Sequence, residues 1–333
     1  MYYMSKPNFN IRDTYHQCVN LITTDSVRNH LESLSESVYQ YSDNYETLAI
    51  ENKLNEFDIP NNFKVSENVD NEWLVKLYKN YFRNSTEERC SLVYEFYSKI
   101  KNYKGNHELS RCCYCNHNPV QCLDHFLPES QFNALAVNPI NLVPSCDYCN
   151  KSKHHYKPLA NNQSSVLIHP YYNDLSRFDW LRVRIRVFYN FRFSKINTSR
   201  NLKFEMLNPA NIKIGLIDLR NSQYAKKNVQ TYFYVNKEII RINNLVYKRI
   251  VKTFMKADLN TTFSFAANSF ILDDVILNLK SEVFRGLPIE TIKHYFFMQR
   301  ENLITKNAYS VNNWKVALYR FLSEYDCSFK DFY

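Results

Sequence analysis

The sequence predicts an α+β protein, mainly helical, with a compact cysteine-rich unit at its centre and a small antiparallel β segment after it. Three observations lead there. Stretches on both sides of the centre carry apolar residues at helical spacing. Residues 106–160 concentrate cysteine, histidine, proline and asparagine, and residues 180–193 alternate in the manner of a strand. With 333 residues, 45% hydrophobic and 16% aromatic, the chain is long enough to bury a core without disulfides.

Each element follows from its own pattern. Residues 14–57 place Val19, Leu21, Val27, Leu31, Leu34, Val38, Leu48 and Leu54 at spacings a helix can use, and the run Asp58-Ile-Pro-Asn-Asn62 breaks it. A second helical stretch runs from Asn71 to Lys104, with Leu74, Leu77, Tyr78 and Phe82 as one stripe and Leu92, Tyr94, Phe96 and Ile100 as another. After the central unit come a strand around Trp180–Phe193 and helical patterns near 217–256, 267–285, 288–302 and 310–324. In the last of these, Trp314, Leu318 and Leu322 read as core. The expected organisation is a helical N-terminal domain (1–105), a central unit (106–160) and a C-terminal β/helical domain (161–333).

Charge is unevenly spread. Residues 1–70 hold five Lys/Arg against eleven Asp/Glu, a net of −6, so the remainder carries +15 of the overall +9. A cationic body suits a polyanion, and the acidic N-terminal segment suits a different role such as docking a protein partner; ordinary solvated faces would show the same charges. Glycine is scarce: Gly105, Gly215 and Gly286 are isolated. No glycine-lined phosphate cradle of the dinucleotide-binding or P-loop kind can be written, so phosphate chemistry must rest on side chains, metal or helix ends. No signal-peptide core opens the chain and no run reaches 18 apolar residues, which leads us to expect a cytoplasmic protein with no membrane partner.

In a reducing compartment, clustered cysteines read as metal ligands before disulfides. Cys112 and Cys115 form one C-x-x-C pair and Cys146 and Cys149 another, with 30 residues between the pairs. Two such knuckles close a tetrahedral Cys₄ structural zinc site. Cys113 is a spare within the first pair, and Cys122 reads as a strand residue.

Between and after the knuckles stand Leu123-Asp124-His125-Phe126-Leu127-Pro128, Asn141-Leu142-Val143-Pro144-Ser145-Cys146 and Cys149-Asn150-Lys151-Ser152-Lys153. In this order they resemble the zinc-containing HNH nucleases, over residues 112–157. The resemblance implies a ββα-metal unit, in which a hairpin and a helix grip one divalent cation, and a phosphodiesterase activity. His125 has an unperturbed pKa of ~6.5, suited to a general base that deprotonates water. Asp124 is a hard oxygen ligand for Mg²⁺ or Mn²⁺. The resemblance makes His125 the base, Asp124 and Asn150 the metal ligands, and Asn141 the residue that ties the loop and positions the base. His154, four residues past Asn150, is a further candidate ligand. Lys153 can offer a charge to a phosphate, or be a solvated helix lysine.

Beyond the motif, Arg182, Arg184 and Arg186 alternate with Val183, Ile185 and Val187, so one strand face is arginine. Such a row can track a nucleic-acid backbone or form the exposed face of an antiparallel strand. The segment His169-Pro170-Tyr171-Tyr172-Asn173-Asp174 follows the unit, and packing onto it is the default expectation. The resemblance implies an endonuclease acting on DNA in preference to RNA, in anti-phage or restriction defence beside an ATPase subunit. The rival expectations are an RNA-cleaving effector, and a zinc module that only binds nucleic acid or a protein partner.

Overall fold

The computed structural model describes residues 1, 3–58, 70–103, 110–191, 203–204, 225–281, 284, 287–305 and 312–324. The chain is a mixed α+β protein that divides into two compact units. The first unit comprises Met1–Trp180, Val235–Leu259 and Ser310–Asn313, and the second Leu181–Tyr234, Asn260–Tyr309 and Trp314–Tyr333. The boundaries expected at 105 and 160 both fall inside the first unit.

The first unit opens with α1 (Ile11–Asn20) and α2 (Asp25–Ile50). The sequence pattern reads these as one helix from residue 14, but Thr23 and Thr24 interrupt it. α1 instead starts earlier because Asn10 and Asp13 form a reciprocal capping box that satisfies orphan N–H groups. Along α2, Leu31, Leu34, Val38, Tyr41, Tyr45 and Leu48 recur at three- and four-residue steps, and this stripe faces the core. Next come α3 (Asp70–Lys76), a wider helical turn over Leu77–Phe82, and α4 (Ser91–Lys101). The stretch 71–104 is therefore two helices, parted at residues 83–90.

β1 (Cys122–His125) pairs antiparallel with β2 (Leu142–Ser145), and α5 (Asp147–Lys153) follows directly. One continuous cluster of buried side chains runs from Phe9 to Leu167 and joins the N-terminal helices to this hairpin. Polar contacts reinforce it: the Thr14 hydroxyl donates to the Val137 carbonyl at 2.8 Å and the Asn138 amide to Ser42 Oγ at 2.8 Å. α6 (Ile239–Ile242) and α7 (Asn244–Lys256) complete the unit.

In the second unit, β3 (Leu181–Phe191) lies between β4 (Lys203–Phe204) and β5 (Ala225–Val235). The segment 217–256 was expected to be helical; α6 and α7 are its helical part, whereas Ala225–Val235 is the strand β5. Val229, Thr231, Phe233 and Val235 are buried while residues 230, 232 and 234 are not, a period of two rich in β-branched and aromatic residues. Asn268 and Asn260 of α8 (Leu259–Phe270) accept the backbone N–H groups of Thr231 and Phe233. After α8 come α9 (Ile276–Lys280), α10 (Ile289–Thr305) and α11 (Trp314–Ser323), with α11 packed on α10 and β3. Among the described residues, no helix is long and apolar enough to cross a membrane.

The His169–Asp174 segment is a junction in the first unit. The Tyr171 backbone N–H donates to His169 Nδ1 (3.2 Å), which leaves the proton of the neutral ring on Nε2, 3.0 Å from the Tyr45 hydroxyl. The Tyr171 hydroxyl donates to the Leu142 carbonyl of β2, and the Tyr172 hydroxyl to Glu46 of α2. Burial, helped by the nearby Arg249 charge, lowers the His169 pKa to about 3. The unfolded chain protonates this ring near pH ~6.5, so the contribution to stability is full above that pH and is lost as pH falls toward 3. His169→Gln lacks this titration, so we expect the difference between wild-type and variant unfolding free energies to change by about 1.4 kcal/mol per pH unit over that interval.

Candidate active site and metal centre

The candidate metal centre is assembled from two knuckles that the hairpin brings together. The first is a tight loop in which Cys112 N bonds to the Asn118 carbonyl (3.0 Å) and Asn116 N to the Cys112 carbonyl (2.8 Å). Asn116 takes a left-handed conformation, φ 49°, which asparagine tolerates better than most residues. The second knuckle begins where β2 ends: Cys146 precedes α5 and Cys149 lies in its first turn. Cys113 N donates to the Pro144 carbonyl at 2.9 Å and fixes one knuckle to the other's strand.

The Sγ atoms of Cys112, Cys115, Cys146 and Cys149 lie within 4.8 Å of one another, and all four residues are buried. A tetrahedral zinc with Zn–S bonds of about 2.3 Å requires sulfurs roughly 3.8 Å apart, so this donor set could hold such an ion. Asn118 donates its backbone N–H to Cys115 Sγ (3.5 Å) and its amide to Cys146 Sγ (3.7 Å), the outer hydrogen bonds that steady thiolate ligands. Burial raises the Cys112 thiol, but the surrounding sulfurs outweigh it and hold the group well below its ordinary pKa. Cys113 and Cys122 are not in the cluster.

Asp124 and His125 end β1, and the chain turns at Pro128. His125 is 9% exposed, its ring packed edge-on against Tyr78 with centroids 4.4 Å apart. Its Nε2 lies 2.8 Å from the Ala136 carbonyl and 3.5 Å from Glu129 Oε2. A carbonyl oxygen only accepts, so Nε2 carries the proton of the neutral ring and Nδ1 keeps its lone pair. Burial lowers the His125 pKa, against the pull of Glu129 and the Ala136 carbonyl, and the ring is neutral at pH 7.

Asn141 is fully buried and acts as a clasp. Its Oδ1 accepts the Leu127 N–H (2.8 Å), and its amide donates to the carbonyls of Leu127 (3.0 Å) and Leu135 (3.4 Å). The loop from Leu127 to Ala136 is thereby closed, and with it the carbonyl that orients His125.

Asp124 and Asn150, expected to share a cation, have different partners. Asp124 Oδ2 accepts the Tyr114 hydroxyl at 2.6 Å, and Oδ1 lies 3.2 Å from Lys153 Nζ. Asn150 directs its amide to Cys122 Sγ at 3.4 Å. His154 is exposed beyond the end of α5, its ring edge-on to His155 with centroids 4.3 Å apart. Lys153, expected at a phosphate, is 2% exposed: its ammonium also donates to the carbonyls of His125 (2.9 Å) and Phe126 (3.4 Å). Three oxygens around one ammonium satisfy all its donors, so it is unavailable to a phosphate. Burial nonetheless raises the Asp124 pKa against the pull of Lys153 and Tyr114.

Tyr114, Glu129 and the Ala136 carbonyl were not singled out by sequence reasoning. Tyr114 sits inside the first knuckle, and only the knuckle's fold onto the hairpin reveals that it faces Asp124. On β3, Arg182 is half-buried, while Arg184 is exposed with its guanidinium 5.1 Å from the Tyr234 ring centroid. Arg186 follows on the same strand; of the eight basic residues between 177 and 203, Arg192, Lys195 and Arg200 lie outside the described residues.

No family model matches the chain, and no solved structure matches it. It is similar to Protein ea31 of Escherichia phage lambda, 26% identical over 161 residues that make up 47% of this chain and 51% of that protein. The chain therefore aligns with about half the length of the curated relative it matches.

Two outcomes follow from this geometry. Metal analysis of the purified protein should give one zinc per chain, with none in Cys149→Ser and a lowered melting temperature after chelation. Lys153→Met strands the buried Asp124 carboxylate and should cost about 3–5 kcal/mol in denaturant unfolding. Asp124→Asn combined with Lys153→Met should recover much of that loss, because neither charge is then left alone.

Proposed function

We propose that this chain is an endonuclease of the HNH class that hydrolyses phosphodiester bonds of nucleic acid, DNA in preference to RNA. The observation that carries this reading is the setting of His125: a neutral imidazole beside the hairpin end, oriented through Nε2 by a carbonyl and left with a basic Nδ1. Hydrolysis needs a group that takes a proton from the attacking water. Nδ1 would take it, and the Ala136 carbonyl and Glu129 carboxylate would then hold the imidazolium. The hairpin, the following helix, the Asn141 clasp and the four-cysteine cluster support the same class.

A divalent cation, Mg²⁺ or Mn²⁺, would supply charge neutralisation at the phosphate in such an enzyme. Asp124 and Asn150 as placed do not fit a shared ion: one is engaged by Lys153 and Tyr114, the other faces Cys122. The engagement of Asp124 by Lys153 favours a second reading, a zinc-dependent module that binds nucleic acid without cleaving it. Defence against phage and an ATPase partner stand as proposals on the motif resemblance.

Purified protein incubated with plasmid and with total RNA, in Mg²⁺, Mn²⁺ or EDTA, separates the readings. Wild type should cleave, and His125→Ala with unchanged zinc content should lose about 10²–10⁴-fold in rate. Equal cleavage by that variant would overturn the assignment of the base, and retention on DNA without cleavage would favour the second reading. Because burial lowers the His125 pKa, activity should be full at pH 7 and fall on the acid side, with its inflection below ~6.5.

A further inference from the structure

Away from the hairpin, the first unit contains a cavity of about 340 Å³, within the range of roughly 300–1,000 Å³ typical of small-molecule sites. Arg249 of α7 lies in its wall and is 3% exposed. Its Nε donates to the Val166 carbonyl (3.0 Å), Nη2 to the Leu167 carbonyl (2.9 Å) and Asn173 Oδ1 (2.8 Å), and Nη1 to Asn52 Oδ1 (2.5 Å). Every one of these acceptors is neutral. Buried charges are ordinarily paired with an opposite charge, because an isolated one is costly to desolvate. Burial lowers the Arg249 pKa to about 10, so the guanidinium remains charged at neutral pH. It is a positive charge inside the protein with no carboxylate among these partners, beside an open volume.

The rest of the wall fits an anionic ligand that also carries a flat apolar part. Arg177 places a second guanidinium in the lining, 4.8 Å from the Phe178 ring centroid, and Phe178 and Val246 give apolar surface. Asp174, the acid of the lining, is engaged locally by Ser176, through its N–H (2.8 Å) and hydroxyl (2.9 Å). The wall is pre-organised: Asn173 Nδ2 donates to Asn52 Oδ1 (2.6 Å), and Asn173 Oδ1 accepts the His169 N–H (2.8 Å). The segment His169–Asp174, which the hairpin chemistry does not use, thus serves to build this wall.

We infer that this cavity binds a phosphate monoester of mononucleotide size, its phosphate toward Arg249 and Arg177 and its ring against Phe178 and Val246. The inference is independent of cleavage at the hairpin. Isothermal titration of the full chain with 5′-AMP, adenosine and inorganic phosphate tests it. AMP should bind at least about tenfold more tightly than either fragment, because charge and apolar surface are both needed. Arg177→Ala, a change at an exposed residue, should weaken AMP about tenfold, and Val246→Trp should abolish binding by filling the cavity. Melting temperature and zinc content of each variant establish that it is folded. No heat with AMP, phosphate binding as tight as AMP, or AMP binding unchanged in both variants would each overturn the inference.

Discussion

The hairpin unit depends on fixing a helix too short to stand alone. α5 has seven residues, whereas isolated helices below ~12–15 residues are marginal in water because nucleation is costly. Two interactions hold it, one at each end. At its start, Cys146 and Cys149 belong to the four-sulfur cluster with the first knuckle. At its end, the buried Lys153 ammonium reaches across to Asp124 and to the carbonyls of His125 and Phe126. The helix is pinned to the strand that carries the proposed base, and the position of His125 inherits its precision from both pins.

The second pin limits the chemistry. A carboxylate and two carbonyls are the oxygen donors that a hard cation prefers, and here a lysine ammonium takes that place. An ammonium brings one positive charge and directional N–H groups, so it neutralises Asp124 and orders the backbone, but it does not acidify a bound water. Asp124 is thus a framework carboxylate in this arrangement. The same set of residues would become a cation site only with Lys153 withdrawn, which would break a buried ion pair. Lys153 therefore ties the stability of the unit to the availability of its acidic residue.

What was legible in the sequence was what depends on spacing. The two C-x-x-C pairs named the four sulfurs that converge, and the apolar steps along residues 31–48 named the face of α2 that packs inward. The alternation at 182–187 identified β3. What was not legible depends on direction. Nothing in the spacing tells that Lys153, the fourth residue after Cys149, turns inward to Asp124 rather than out to solvent. Asn150 likewise lies nine residues after Asn141, where the resemblance implies a metal ligand, yet its amide faces a cysteine. β5 was missed for a related reason: Tyr232 and Tyr234 stand between the buried Thr231, Phe233 and Val235, so the alternation that marks a strand is blurred until burial is known.

The scarcity of glycine connects these features. Left-handed backbone positions are usually given to glycine, because a Cβ is costly there. Among the described residues, Asn52, Asn116, His154, Asn161 and Asp258 take such positions. Asparagine and aspartate tolerate the conformation and also bring a hydrogen-bonding side chain. Asn52 (φ 62°) uses it to accept from both Arg249 and Asn173 at the cavity. Asp258 (φ 46°) accepts the Tyr148 hydroxyl, which comes from α5. A glycine at either position would make the turn and lose the contact. Filling turn positions with polar side chains therefore lets the bends themselves act as structural joints, and a chain with three glycines acquires anchors where most proteins have bare backbone.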